Sequence, residues 1–249
     1  MPVAATTLAD RLLEHVLSFS LEGTRLPKGV GVLDPFNGPH ADEVRRIVTT
    51  FHRRFYSDDA PRTLMLGINP GRLGAGSTGL SFTDTKRCAS DLGIPVSGIR
   101  THEPSSDFFY RMIRAAGGPA VFYGRVYVHA VCPLGFVRQG GTGTAVNLNY
   151  YDDPALEHAV TPFVEHWLRT LVACGMRTDL VFCIGTGRNA AYFTKLNARV
   201  ELFDRVIALE HPRYIMQYKA KQLDTYIRKY TGALEEASQS ARGRAGSSA

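Results

Sequence analysis

Thr63-Leu64-Met65-Leu66-Gly67-Ile68-Asn69-Pro70-Gly71 is the stretch on which the reading of this chain turns. A short apolar run that breaks off at Asn-Pro-Gly has the pattern of a buried strand delivering a polar side chain at its carboxyl end. The residue before a proline is confined to extended backbone angles, so covalent geometry, rather than neighbouring groups, is expected to aim Asn69. Far along the chain a second apolar run, residues 205–209, ends in Glu210-His211-Pro212-Arg213. An asparagine at one strand end and a histidine at another can close a small polar site able to hold a water molecule.

Two further runs, residues 125–131 and 180–184, complete a set of four with 63–68 and 205–209. Each is mostly Val, Ile, Leu, Phe or Tyr without clean alternation, the pattern of parallel strands covered on both faces. Helical segments fill the gaps. In residues 6–20, Leu8, Leu12, Leu13, Val16 and Leu17 share one face behind Thr7 and Asp10 at capping-box spacing. A second helix ends near Phe55. The best-marked helix starts at Asp153-Pro154, an N-cap followed by proline at the first helical position, and stops at Gly175. Strands alternating with helices predict an α/β fold, a three-layer α/β/α sandwich around a mainly parallel four-stranded sheet. In such sheets ligands collect at the carboxyl ends of the strands, where Asn69, His211, Cys132-Pro133-Leu134 and Gly185-Thr186-Gly187 all fall. One domain is expected over residues 1–232, then a polar, disordered tail over 233–249 made of Ala, Ser, Gly and Arg. Residues 21–40, rich in Gly and Pro, either line a pocket or merely connect.

Composition narrows the function classes. With 249 residues at 44% hydrophobic content the chain can bury a full core, and 29 Lys+Arg against 23 Asp+Glu leave a charge of +6 that suits a polyanionic partner. Four cysteines, Cys88, Cys132, Cys174 and Cys183, lack CxxC spacing and read as buried reduced thiols. His102, His129, His158 and His166 have no metal-ligand spacing, so no metal is expected. Residues 71–79 are glycine-rich but lack the Lys-Ser/Thr end of a P-loop and the spacing of a dinucleotide fingerprint, so no cofactor is expected either. No apolar stretch approaches the roughly 18 residues needed to span a bilayer, which argues against a membrane partner. Asp10 and Glu14 occupy the region of a signal-peptide core, and a cytoplasmic location is expected.

Gly67-Ile68-Asn69-Pro70-Gly71, continued by residues 72–82, resembles the first motif of the uracil-DNA glycosylase superfamily. Val128-His129-Ala130-Val131-Cys132-Pro133-Leu134 resembles the central strand end, and Glu210-His211-Pro212-Arg213 the second motif, of its single-strand-selective monofunctional type. Val32-Leu33-Asp34-Pro35 is similar to the pocket-lining loop of that type. Three motifs in the family's order, over roughly residues 30 to 230, make a specific signal, similar to a second, bacterial branch.

The resemblance implies hydrolysis of the bond between a damaged base and deoxyribose, through an oxocarbenium-like state that leaves negative charge on the departing base. Asn69 would place the water, since a carboxamide orients but is no useful base near neutral pH. His211 would donate to the base oxygen as charge develops. Gly67, Ile68, Pro70 and Gly71 would line the base pocket with Ala130 and Asn149. Phe82 matches the aromatic on which the flipped base lies; its alternative is an ordinary core residue. Arg213, Tyr214, Ile215 and Met216 supply either the wedge that fills the vacated stack or the first turn of the last helix. Gly185, Gly187 and Arg188 either meet a DNA phosphate through backbone amides or form only a compact turn. The implied partner is DNA, single- or double-stranded, bound by a monomer.

The family pattern breaks at Ala130, where better known relatives carry an asparagine that reads the polar edge of uracil; a methyl group cannot do so. Either Asn147 or Asn149 takes over that role, or the pocket accepts a different range of lesions. Two rival readings stand beside this one. A mismatch-specific thymine/uracil type would carry an asparagine-containing second motif in place of His211, and an inactive nucleic-acid-binding member of the fold would tolerate Ala130. Asp34, Asp84 and Glu210 are the carboxylates nearest the motifs, and each can equally cap a turn. No lysine is placed for Schiff-base lyase chemistry.

Overall fold

Seven strands form two sheets in the computed structural model, which describes residues 6–139 and 143–246. In chain order they are β1 (Val30–Leu33), β2 (Thr63–Gly67), β3 (Val126–Ala130), β4 (Gly135–Gln139), β5 (Ala145–Leu148), β6 (Val181–Ile184) and β7 (Val206–Leu209). The helices are α1 (Leu8–Val16), α2 (Ala41–Phe55), α3 (Ala75–Thr78), α4 (Thr85–Ser90), α5 (Pro104–Ala115), α6 (Pro119–Tyr123), α7 (Pro154–Ala173), α8 (Arg188–Val200), α9 (Pro212–Tyr218) and α10 (Leu223–Gly246).

The four expected runs are the four strands of one parallel sheet, ordered β3-β2-β6-β7. Every residue of β2, β3 and β6 is buried. Side chains alternate between faces along a strand, so burial at every position means that both faces are covered. Helices therefore flank the sheet, as the three-layer expectation requires. The register sets Gly67 beside Ala130, Leu66 beside Cys183 and Ile184 beside Leu209, which aligns the carboxyl ends of all four strands on one edge.

Local signals account for the helix starts. The Thr7 hydroxyl accepts from the Asp10 backbone N–H at 3.2 Å while the Asp10 carboxylate accepts from the Thr7 N–H at 3.1 Å, the reciprocal box expected there. Asp153 accepts from the Ala155 N–H at 2.9 Å ahead of Pro154, and α7 then buries Leu156, Val160, Val164, Trp167, Leu168 and Leu171. All four cysteines are free and buried.

Two features depart from the sequence reading. The second sheet, antiparallel and ordered β1-β4-β5, takes in part of residues 21–40 and the stretch before Tyr150. Its outer strands are four residues each and none of their residues is buried, too short, and set among too many Gly, Pro and Asn residues, to stand out as strands. The expected tail is also corrected, because α10 continues through Gly232 to Gly246 and brings Ala233, Leu234 and Ala237 against the core. Alanine and arginine are strong helix formers, so a composition that looks like a linker carries a docked helix instead. Residues 247–249 of that expectation lie outside the described residues.

Candidate active site

The carboxyl edge of the parallel sheet opens into a cavity of about 200 Å³. Its walls include Gly67, Ile68, Asn69, Pro70 and Gly71 from the end of β2, Ala130 from the end of β3, and His211 and Arg213 from the turn between β7 and α9. Phe82, Glu103, Asn147 and Asn149 close it from the connecting segments. Asn69 and His211, distant in sequence, thus line one cavity.

Asn69 is held differently from the expectation. Its Oδ1 accepts the Tyr150 backbone N–H at 3.1 Å and its Nδ2 donates to the Leu148 carbonyl at 3.2 Å. A backbone N–H can only donate and a carbonyl only accept, so these partners fix which end of the amide is oxygen. Neighbouring backbone at the end of β5, and not the following proline alone, aims the carboxamide. One Oδ1 lone pair remains for a further donor such as water.

His211 is the N-cap of α9, with φ −64° and ψ 133°, and Pro212 takes the first helical position. Its Nδ1 accepts the Arg213 backbone N–H at 3.1 Å. The proton of the neutral ring is therefore on Nε2, leaving that N–H as a donor. Burial, reinforced by the nearby Arg213 charge, lowers its pKa to about 4, so the ring is neutral at physiological pH. A neutral donor of fixed tautomer suits an acceptor that gains negative charge.

Phe82 lines the cavity with its ring stacked on Phe109, centroids 4.7 Å apart, and 5.5 Å from the His211 ring. Its φ of 53° lies in the left-handed region, where a bulky residue is strained. A side chain on Gly67 would meet it, since a Cβ there would stand 2.9 Å from Phe82 Cζ. Strain and close approach both serve to seat this ring in the wall.

The remaining expected residues divide. Ala130 offers the cavity only a methyl group, and its carbonyl is taken by the Trp167 indole N–H at 3.2 Å. Asn147 lines the cavity but its Oδ1 accepts the Arg72 backbone N–H at 3.2 Å, while the Asn149 side chain makes no hydrogen bond among the described residues. Asp34, Asp84 and Glu210 do not line it. Asp34 caps the turn at Phe36 and Asn37, Asp84 is wholly buried as the N-cap of α4, and Glu210 pairs with Lys229 at 2.8 Å. The segment from Val32 to Pro35 does not reach the cavity either; Leu33 lies behind it, near Gly76 and Gly135.

Glu103 was missed. It lines the cavity as the N-cap of α5, its Oε2 is buried without a partner, and burial together with the Asp84 charge raises its pKa to about 7. The only signal available was Glu before Pro at a helix start, which reads as an ordinary cap.

A neighbouring groove shares Ile68 and His211 with the cavity and runs past Gly185, Thr186, Gly187, Arg188 and Tyr214. Arg188 is tied down by the Tyr151 carbonyl and by Asp152 at 3.5 Å. Arg213 and Tyr214 are exposed beside it. Ile215 is corrected: it is fully buried, a packing residue that no bound partner can reach. Met216 likewise packs against the core. Among the described residues no cluster of His, Cys, Asp or Glu could hold a metal ion, and no helix is long and apolar enough to cross a membrane.

A parallel sheet flanked by helices, with its polar cavity where the strands end, makes this an α/β/α domain of the uracil-DNA-glycosylase-like class. The family model described as the uracil DNA glycosylase superfamily matches residues 54–235, and the chain belongs to that superfamily, on its single-strand-selective monofunctional side. A crystal structure of wild-type Pedobacter heparinus SMUG2 superposes with a TM-score of 0.90 at 42% identity, covering 94% of this chain and 99% of that one. The single-strand selective monofunctional uracil-DNA glycosylase of Rattus norvegicus is 31% identical over 178 residues, 62% of this chain. Its Mus musculus counterpart is 30% identical over 158 residues, 54% of this chain. The matches span 59% and 53% of those two proteins.

Proposed function

We propose that this protein is a monofunctional DNA glycosylase that hydrolyses the N-glycosidic bond of uracil, or of a related deaminated or oxidised base, flipped out of DNA. It acts as a monomer in the cytoplasm. One observation carries the reading: Asn69 and His211 line a single cavity with an amide oxygen on one and a fixed N–H donor on the other. The free lone pair of Asn69 Oδ1 orients the water that attacks the anomeric carbon. The His211 Nε2–H donates to the base oxygen as the bond breaks and charge moves onto the base. Phe82 carries the flipped base on its ring, a contact worth ~1–3 kcal/mol. Asn149, with its amide unengaged, reads the polar edge of the base that Ala130 cannot.

Outside the cavity, the groove from Gly185 to Tyr214 holds the DNA strand. The Gly185 N–H is already donated to the Leu209 carbonyl at 2.6 Å, so the backbone amide at Gly187 alone approaches phosphate, Arg188 and Arg213 add charge, and Tyr214 fills the vacated stack.

The test is a panel of single- and double-stranded oligonucleotides carrying uracil, hydroxymethyluracil, hypoxanthine or xanthine, scored for abasic sites by alkaline strand cleavage. Release from at least one deaminated base, with none from an undamaged strand, is expected. Binding to these strands without release of any base would show an inactive member of the fold.

A further inference from the structure

Among the groups that line the cavity, Glu103 has no assigned part in the chemistry just described. Its carboxyl group lies over Gly74, so close that a Cβ on that glycine would stand 2.0 Å from Oε2. No cation pairs with it among the described residues, and Oε2 is buried without a hydrogen-bond partner. A buried carboxylate oxygen with no donor is costly, whereas a carboxylic acid in the same place needs only an acceptor from a ligand. Ala130 leaves the cavity short of one polar group at the base.

From this geometry we infer that Glu103, in its protonated form, is a second hydrogen-bond donor to the base as it departs. The inference rests on the glycosylase reading above. In the step itself the C1′–N bond breaks with its electron pair on the base, and water forms the C1′–O bond. The proton lost by water reaches the base through solvent, and Glu103 keeps its own. Two N–H or O–H donors, His211 Nε2 and the Glu103 carboxyl, then share the developing charge, as paired donors do in oxyanion sites.

The charged surroundings favour the acid form. Asp84 faces Glu103, accepting its backbone N–H at 3.0 Å, and its negative charge opposes ionisation. Arg213 acts in the other direction, more weakly than burial and Asp84 together. His102 faces Asp84 at 3.3 Å, and His211 shares the cavity as a neutral ring. The balance leaves Glu103 titrating at about 7.

The experiment is a single-turnover excision profile from pH 5.5 to 9 on uracil-containing DNA for the wild type, Glu103→Gln and Glu103→Ala, with melting temperatures confirming folding. The wild-type rate should fall about tenfold per pH unit above the midpoint near 7, as the donor is lost. Glu103→Gln keeps an N–H donor and cannot ionise, so its profile should be flat and should cross above the wild type by pH 9. Glu103→Ala should be roughly 100-fold slower at pH 6. A Gln variant as slow as Ala at every pH would make Glu103 a base and overturn the proposal. So would variants that both match the wild type. A wild type that releases no base refutes the glycosylase reading itself, and the donor role falls with it.

Discussion

Two histidines sealed behind the site should make this protein lose stability in mild acid. His52 is 2% exposed, with Nδ1 against the Val48 carbonyl at 2.8 Å and Nε2 against the Tyr127 hydroxyl at 3.2 Å. His129 is 8% exposed among Phe19, Tyr127 and Trp167, and its Nδ1 has no partner. Burial lowers their pKa values to about 4 and about 3; the His52 charge adds to the effect on His129. Between the ordinary value of 6.5 and about 4, the unfolded chain therefore binds one proton at each ring that the folded chain does not. Stability rises with pH across that window and falls as pH drops through it. Each ring contributes up to ~1.4 kcal/mol per pH unit, and because the unfolded ring is already half protonated at pH 6.5, moving from pH 6.5 to 5 should remove about 3 kcal/mol of a total that for most domains is only ~5–15. His211, lowered, and Glu103, raised, act with opposite sign over nearly the same range and largely cancel. Urea unfolding at pH 7, 6 and 5 measures the slope, and His129→Phe, which keeps a ring and removes the unpaired nitrogen, should cut it by about half. Equal unfolding free energies at pH 7 and 5, or a slope untouched by His129→Phe, would refute the reasoning.

Other expectations follow from single contacts. Gly67→Ala sets a Cβ 2.9 Å from Phe82 Cζ, and Phe82 is backed by Phe109; overpacking should cost ~1–3 kcal/mol and slow base release more than it weakens DNA binding. Ala237 is 3% exposed, so Ala237→Asp buries a charge and should cost at least about 2 kcal/mol, seen as a melting temperature lower by ~4 °C or more. An unchanged melting temperature would mean that α10 is not docked through that residue. DNA affinity should fall steeply as salt rises, because phosphate contacts release counterions; affinity indifferent to salt would exclude a phosphate-lined groove.

The parallel sheet was legible because β2, β3 and β6 are buried on both faces and β7 is partly buried, so that all four read as mostly apolar runs at 63–68, 125–131, 180–184 and 205–209. The two catalytic candidates were legible because each stands before a proline at a strand end. Residues whose role depends on what the fold brings beside them were not. Nothing within Leu148-Asn149-Tyr150 signals that its backbone would grip Asn69, and Glu103 differs from any capping glutamate only by the absence of a partner. Ile215 stood in a run of wedge candidates, and only packing separates it, fully buried, from the exposed Tyr214 one position away. The helix after Gly232 hid behind a composition that favours helices and linkers alike.

The most direct test measures single-turnover excision of uracil and DNA affinity together for the wild type, Asn69→Ala and His211→Ala. The account predicts that His211→Ala slows excision by roughly 100- to 1000-fold, with Asn69→Ala comparably impaired and affinity within a few fold of the wild type. Wild-type excision rates in either variant would contradict the claim that one amide and one imidazole, meeting across this cavity, break the glycosidic bond.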